Sequence, residues 1–285
     1  MTTFSTAVQL RWTDLDAQGH VNNVMVADYL QQARAQFLHT GPGRSLLAEG
    51  CVVVGHQIAY RQAIHYSDEP LLVELAISEL GGARFVIAYR LLQDAQLCVE
   101  ARTVLCPFDF DRQRPRRLKR VERKFLSEYR HAVTPLDDIE APALAGRGSA
   151  YELFTRWSDP DRYGHVNNVR FLDFVLAGRV DMTARADPTM ARVGMGRQPS
   201  AVQWLIARQD INYLNQMEFR LAPYRVLTAP VKVGRTSVVL ATEIDDPDDG
   251  TVFANARAIM VCADAEGRKR PLPDSAREAL TSQII

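Results

Sequence analysis

Four cysteines, Cys51, Cys98, Cys106 and Cys262, include no C-x-x-C pair and no histidine at metal-ligand spacing. That excludes a zinc ribbon and a disulfide scaffold. Net charge is missing as well: 34 Lys and Arg balance 34 Asp and Glu. No overall field therefore draws the chain to nucleic acid or to an anionic membrane. No apolar run approaches the roughly 18 residues of a membrane span. The start, "MTTFSTAVQLRW", has no basic stretch leading into an apolar one, so no secretory signal is expected. The expectation is a cytoplasmic protein with reduced thiols, Cys98 and Cys106 filling strand positions. A hydrophobic share of 47% and a length of 285 residues fit about two domains, each with its own core.

What the chain does contain is a repeat. "RWTDLDAQGHVNNVMVADYLQQAR" (11–34) aligns without gaps on "RWSDPDRYGHVNNVRFLDFVLAGR" (156–179), and 12 of the 24 positions are identical. Further on, "IAYRQAIHYSDEPLLVE" (58–74) answers "INYLNQMEFRLAPYRVL" (211–227). The offset grows from 145 to 153 residues, so copy 2 carries extra residues around "DPTMARVGMGRQPS" (187–200). Each copy predicts a short strand ("VQLRW"; "YELFTRW"), the motif loop, then a helix. The helical stripe is Val26, Tyr29, Leu30, Ala33 and Phe37, answered by Phe171, Phe174, Val175, Gly178 and Met182, one face of a 3.6-residue period. Four strand-like segments follow in each copy, from "VVVGHQIAYRQAI" to "QLCVEARTVLC" and from "AVQWLIARQDINYL" to "VFANARAIMVC". The reading is a domain over 1–133, a linker over 134–150 ("TPLDDIEAPALAGRGSA") and a second domain over 151–285, of α+β class.

Strand, D-x-D-x-x-G-H-V-N-N, long helix and further strands resemble the hotdog fold of the 4-hydroxybenzoyl-CoA thioesterase-like superfamily, in particular its acyl-CoA and acyl-carrier-protein thioesterases. The resemblance spans nearly the whole chain, twice. It implies two fused hotdog domains, each an antiparallel sheet wrapped around a central long helix, forming a pseudo-dimer. It also implies hydrolysis of acyl-CoA or acyl-carrier-protein thioesters, with no cofactor beyond the coenzyme A of the substrate and no metal. Partners would be those thioesters, without nucleic acid or membrane; association of pseudo-dimers into a homo-oligomer stays open. Many relatives carry "YLEEAR" on the helix, where this chain has "YLQQAR" (29–34) and "FVLAGR" (174–179). With no helix glutamate there, the chemistry moves to the loop.

Thioester hydrolysis needs a carboxylate to activate water or attack directly, and donors for the developing oxyanion. By resemblance, Asp16 and Asp161 are that base or nucleophile. The backbone amides around Gly19–His20 and Gly164–His165 would polarise the carbonyl at the positive end of a helix. The alternative is that both acids merely cap a helix. Asn22, Asn23, Asn167 and Asn168 sit where an N-cap belongs, with orientation of the aspartate or water as a substrate-binding role. His20 and His165 either take part in catalysis or bond the loop backbone. Asp14 and Asp159 complete a D-x-D, without the further ligands a metal requires. Trp12 and Trp157 are read as strand packing, Asp28 and Asp173 as helix-surface contacts. The basic run "RQRPRRLKRVERK" (112–124) reads as a solvated turn and helix with Leu118, Val121 and Phe125 docking underneath. Its alternative is a phosphate site for coenzyme A, formed by Arg114, Arg116, Arg117 or Arg120. A non-catalytic acyl-CoA sensor is the competing function.

Overall fold

The computed structural model describes residues 2–16, 18–139, 141–188, 190 and 202–285. The chain divides into two compact units, Met1–Asp137 and Asp138–Ile285. Unit 1 runs β1 (Phe4–Val8), α1 (Met25–His39), α2 (Arg44–Glu49), β2 (Cys51–Tyr60), β3 (Leu71–Leu80), β4 (Phe85–Gln93), β5 (Gln96–Asp109), β6 (Arg114–Pro115) and α3 (Arg120–Glu128). Unit 2 runs β7 (Ser149–Leu153), α4 (Arg170–Ala186), β8 (Gln203–Tyr213), β9 (Tyr224–Val233), β10 (Ser237–Asp245), β11 (Val252–Ala263) and α5 (Asp274–Thr281). In unit 1 the sheet order is β1-β3-β4-β5-β2, every neighbour antiparallel. Unit 2 repeats it as β7-β9-β10-β11-β8. Each sheet carries one long helix, the hotdog arrangement.

The expected stripe forms the buried face of α1: Val26, Tyr29, Leu30, Ala33 and Phe37 are all at most 4% exposed. Phe37 meets Phe4 of β1, Phe125 and Tyr129. The helix stops where Thr40 Oγ1 donates to the Phe37 carbonyl and Gly41–Pro42–Gly43 turns the chain. In α4, Gly178 is pressed so closely on β9 that an added Cβ would stand 2.6 Å from Val226 Cγ1. That explains the small residue inside an otherwise large apolar stripe.

Three expectations are corrected. The first strand is Phe4–Val8 rather than 8–12, and Trp12–Asp14 form a tight helical turn instead. Asp14 closes that turn by accepting the Arg11 amide at 2.9 Å, which draws the chain out of extended geometry. Trp12 and Trp157 consequently leave the sheet: they are 73% and 84% exposed, edge-on to Tyr66 and Phe219. Third, Phe125 and Leu126 dock beneath α3, whereas Val121 points to solvent and Glu122 is the buried residue. Glu122 accepts both Arg116 guanidinium nitrogens at 2.9 Å, the Lys119 amide and the Ser45 hydroxyl. Arg116 is thereby committed to the fold rather than to a phosphate.

Leu144, within 134–150, is buried against Leu227, Ala229 and Ala241 of unit 2. The copy-2 insertion around 187–200 lies almost wholly outside the described residues.

Burial alone would raise the Glu122 carboxyl, but Arg116, the Lys119 amide and Ser45 outweigh it and hold it below its ordinary range. Its stabilisation is thus present above the unfolded carboxylate's titration and lost as pH falls through the depressed folded value. Glu122→Gln should lower the urea midpoint at pH 7 by the equivalent of roughly 3 kcal/mol, and the gap should narrow in acid.

Candidate active site

The motif loop is built on its own aspartate. The Asp16 amide donates to the His20 carbonyl at 2.7 Å, and the Gly19 amide to the Asp16 carbonyl at 3.1 Å. Asp16 Oδ1 then accepts the Gln18 and His20 amides at 2.8 and 3.1 Å. So tight a loop requires Gly19 at φ +79°, a left-handed conformation costly for any other residue. Copy 2 repeats it. Asp161 and His165 pair at 2.8 Å, the Gly164 amide reaches the Asp161 carbonyl at 3.0 Å, and Tyr163 donates to Asp161 Oδ1 at 2.8 Å. Gly164 has φ +82°.

This geometry corrects one expectation. The amides of Gly19 and His20 do not face a ligand; both are turned onto Asp16. The Gly164 and His165 amides are likewise turned onto Asp161. In compensation Asp16 is fixed through one oxygen, while Oδ2 takes part in no hydrogen bond among the described residues. The residue is half-buried.

Asparagine duties are divided. Asn22 Oδ1 accepts the Val24 amide at 3.3 Å and its carbonyl the Met25 amide at 2.9 Å, so Asn22 starts the first turn of α1. Asn167 does the same for Val169 and Arg170. Asn23 and Asn168 instead offer their carbonyls to Tyr60 and Tyr213 hydroxyls, each at 2.8 Å. Those tyrosines end β2 and β8 and pin the helix start to the sheet. Sequence reasoning passed over them, although the offset of 153 aligns them.

The other half of D-x-D turns inward. Asp14 is 3% exposed and accepts Arg11 N and Tyr29 Oη at 2.9 and 2.7 Å. Asp159 accepts Arg156 N at 2.7 Å, but position 174 is Phe, without the hydroxyl. Asp173 pairs with Arg170 at 3.1 Å on the helix surface.

Both histidines are half-buried beside their aspartates. The Val21 amide bonds the Ile64 carbonyl at 2.8 Å, which sets the His20 ring edge-on to His65, centroids 4.9 Å apart. Val166 bonds Met217 identically, but Glu218 follows where copy 1 has His65. The two copies therefore differ in charge around the same histidine. Burial raises the Asp161 carboxyl above its ordinary 3.8, more than the Tyr163 amide, His165 and Arg162 lower it. Among the described residues, no three His, Cys, Asp or Glu side chains group as a metal would need. Two pockets within the units lie elsewhere, one at Ala35, His39 and Leu47, the other at Ser149, Pro230 and Ile285. No helix described is long and apolar enough to cross a membrane.

The model of the thioesterase-like superfamily matches residues 10–140 and again 155–280. Solved structures share the architecture. An acyl-carrier-protein thioesterase for twelve-carbon chains from Umbellularia californica superposes with TM-score 0.73 at 13% identity, covering 91% of this chain and 94% of its own. A protein of Lactobacillus plantarum named as an oleoyl thioesterase gives 0.70 at 13% identity over 96% and 98%. An acyl-ACP thioesterase of Bacteroides thetaiotaomicron gives 0.62 at 15% identity over 91% and 97%. At these identities the likeness is one of fold. No curated protein sequence matches the chain.

Removing the hydroxyl in Tyr60→Phe or Tyr213→Phe leaves a helix-start carbonyl short of its donor. Each variant should lose about 1–2 kcal/mol of stability by denaturant titration. Each should also reduce turnover at its own copy.

Proposed function

The chain belongs to the thioesterase-like superfamily and is a thioester hydrolase by family; we propose that it cleaves acyl-CoA or acyl-carrier-protein thioesters in the cytoplasm, each copy using its loop aspartate. The observation that carries this reading is the half-committed carboxylate: Asp16 is anchored through Oδ1, while Oδ2 takes part in no hydrogen bond among the described residues.

Water held at Oδ2 gives a proton to the carboxylate as its oxygen bonds to the thioester carbon. The carbonyl electron pair moves to oxygen, where the positive end of α1 opposes the new charge. Collapse of that oxyanion breaks the carbon–sulfur bond, and the proton held on Asp16 passes to the departing thiolate. Acid and thiol are the products, and the carboxylate is restored. His20 and His165, whose backbone amides bond the aspartates, are the candidate side chains to relay that proton. The same carboxylate attacking carbon directly would form an anhydride for water to open. With the Gly19–His20 amides engaged, carbonyl polarisation falls to the helix field and to the polar side chains of Asn23 and Asn168. No metal or redox cofactor enters the scheme.

Release of free thiol from a panel of acyl-CoAs tests the activity; tight binding without release across short, long and aromatic acyl groups would make the protein a sensor. Two independent sites predict that Asp16→Asn and Asp161→Asn each keep about half the wild-type rate. Abolition by one and no effect of the other would leave a single live copy. In the Asp16→Asn background, activity should fall on acidification through a pKa above the ordinary 3.8, because only the ionised base works. The raised value also means that Asp161 favours folding in acid and loses that contribution as pH rises through it. Asp161→Asn should therefore melt no lower than wild type at pH 7.

A further inference from the structure

Helix α1 carries a second buried line, Ala27, Leu30, Arg34 and Leu38, spaced three, four and four residues apart. Continued backwards it meets Asn23 of the motif. Its one polar member, Arg34, is only 7% exposed, and Nη1 has no hydrogen-bond partner. No carboxylate among the described residues pairs with it. Its electrostatic neighbours are the Cys51 thiol and the His56 ring on β2. Neither supplies a negative charge. Burial pushes the Cys51 thiol up to about 12, and burial with Arg34 nearby takes His56 down to about 3. The neutral imidazole lies 3.0 Å from the Thr103 hydroxyl through Nδ1.

A buried cation without a counter-charge is costly, and interiors keep one where an anion completes it. We propose, resting on the thioesterase reading, that Arg34 receives a carboxylate at the far end of the acyl group, so that the substrates of copy 1 are ω-carboxyacyl thioesters. A guanidinium matches a carboxylate with two parallel hydrogen bonds, and His56 with Thr103 forms a polar, uncharged wall beside it. Arg34 stands ten residues beyond the helix cap Val24, which is about 15 Å along the axis. That distance sets the span between the scissile carbonyl and the acid end. In copy 2 Arg179 is similarly buried at 6%. Gln209, opposite Ala258 on β11, replaces the His56–Thr103 couple. The assignment is to copy 1.

Thermal shifts with free dodecanedioate and dodecanoate test the site without turnover. The diacid should raise the melting temperature of the wild type more than the monoacid. That difference should vanish in Arg34→Met and survive in part in Arg34→Lys. Equal shifts by both acids, or a difference that persists in Arg34→Met, would overturn the assignment. Without ligand, Arg34→Met should melt at or above the wild-type temperature, since an apolar group of similar volume relieves a buried charge. A marked fall would mean a structural role and would equally overturn it. In turnover, Asp161→Asn, which leaves copy 1 to act alone, should favour dodecanedioyl-CoA over dodecanoyl-CoA by at least about tenfold, the scale of a charged hydrogen bond, with the ratio near one once Arg34→Met is added. Equal cleavage of both by Asp161→Asn sinks the carboxylate site and leaves the hydrolase intact. A diacid preference in binding with no thiol release from either keeps the site and defeats the hydrolase reading.

Discussion

The fold at each motif depends on an aspartate that bonds its own loop. Asp16 Oδ1 gathers the Gln18 and His20 amides, and a left-handed glycine closes the circuit. This small ring fixes where α1 begins and how His20 meets residue 65. It also leaves one carboxylate oxygen uncommitted. A single side chain thus shapes the loop through one oxygen and offers the other for the proposed chemistry.

Duplication preserved this ring while the surroundings diverged. Tyr29 supports Asp14 in copy 1, where copy 2 has Phe174. His65 faces His20, where copy 2 has Glu218. The helix rests on the sheet through Ala33 in one unit and through Gly178, with no room for a Cβ, in the other. The divergence falls on groups that tune charge and fit around an unchanged backbone.

Much of this was legible in the sequence because periodicity reports burial directly. The stripe Val26–Phe37 and four strands in each unit follow from patterns of 3.6 and 2. What escaped was set by partners distant in the chain. Glu122 looked like one more surface charge in a basic run, until Arg116 and Ser45 enclosed it. Trp12 followed an alternating stretch, but Asp14 folded that stretch into a turn and left the indole outside. The Gly19 and His20 amides suited an oxyanion, yet their own aspartate was the nearer acceptor. Tyr60 and Tyr213 gave no local signal at all; only the repeat offset marks them.

The central claim is that the loop aspartate of each motif drives thioester cleavage. The Asp16→Asn/Asp161→Asn double variant isolates it, since an asparagine Oδ1 still accepts the loop amides and only the ionised oxygen is lost. Its rate of thiol release should drop by at least about a hundredfold, with the melting temperature kept. Near wild-type release from a correctly folded double variant would contradict the account.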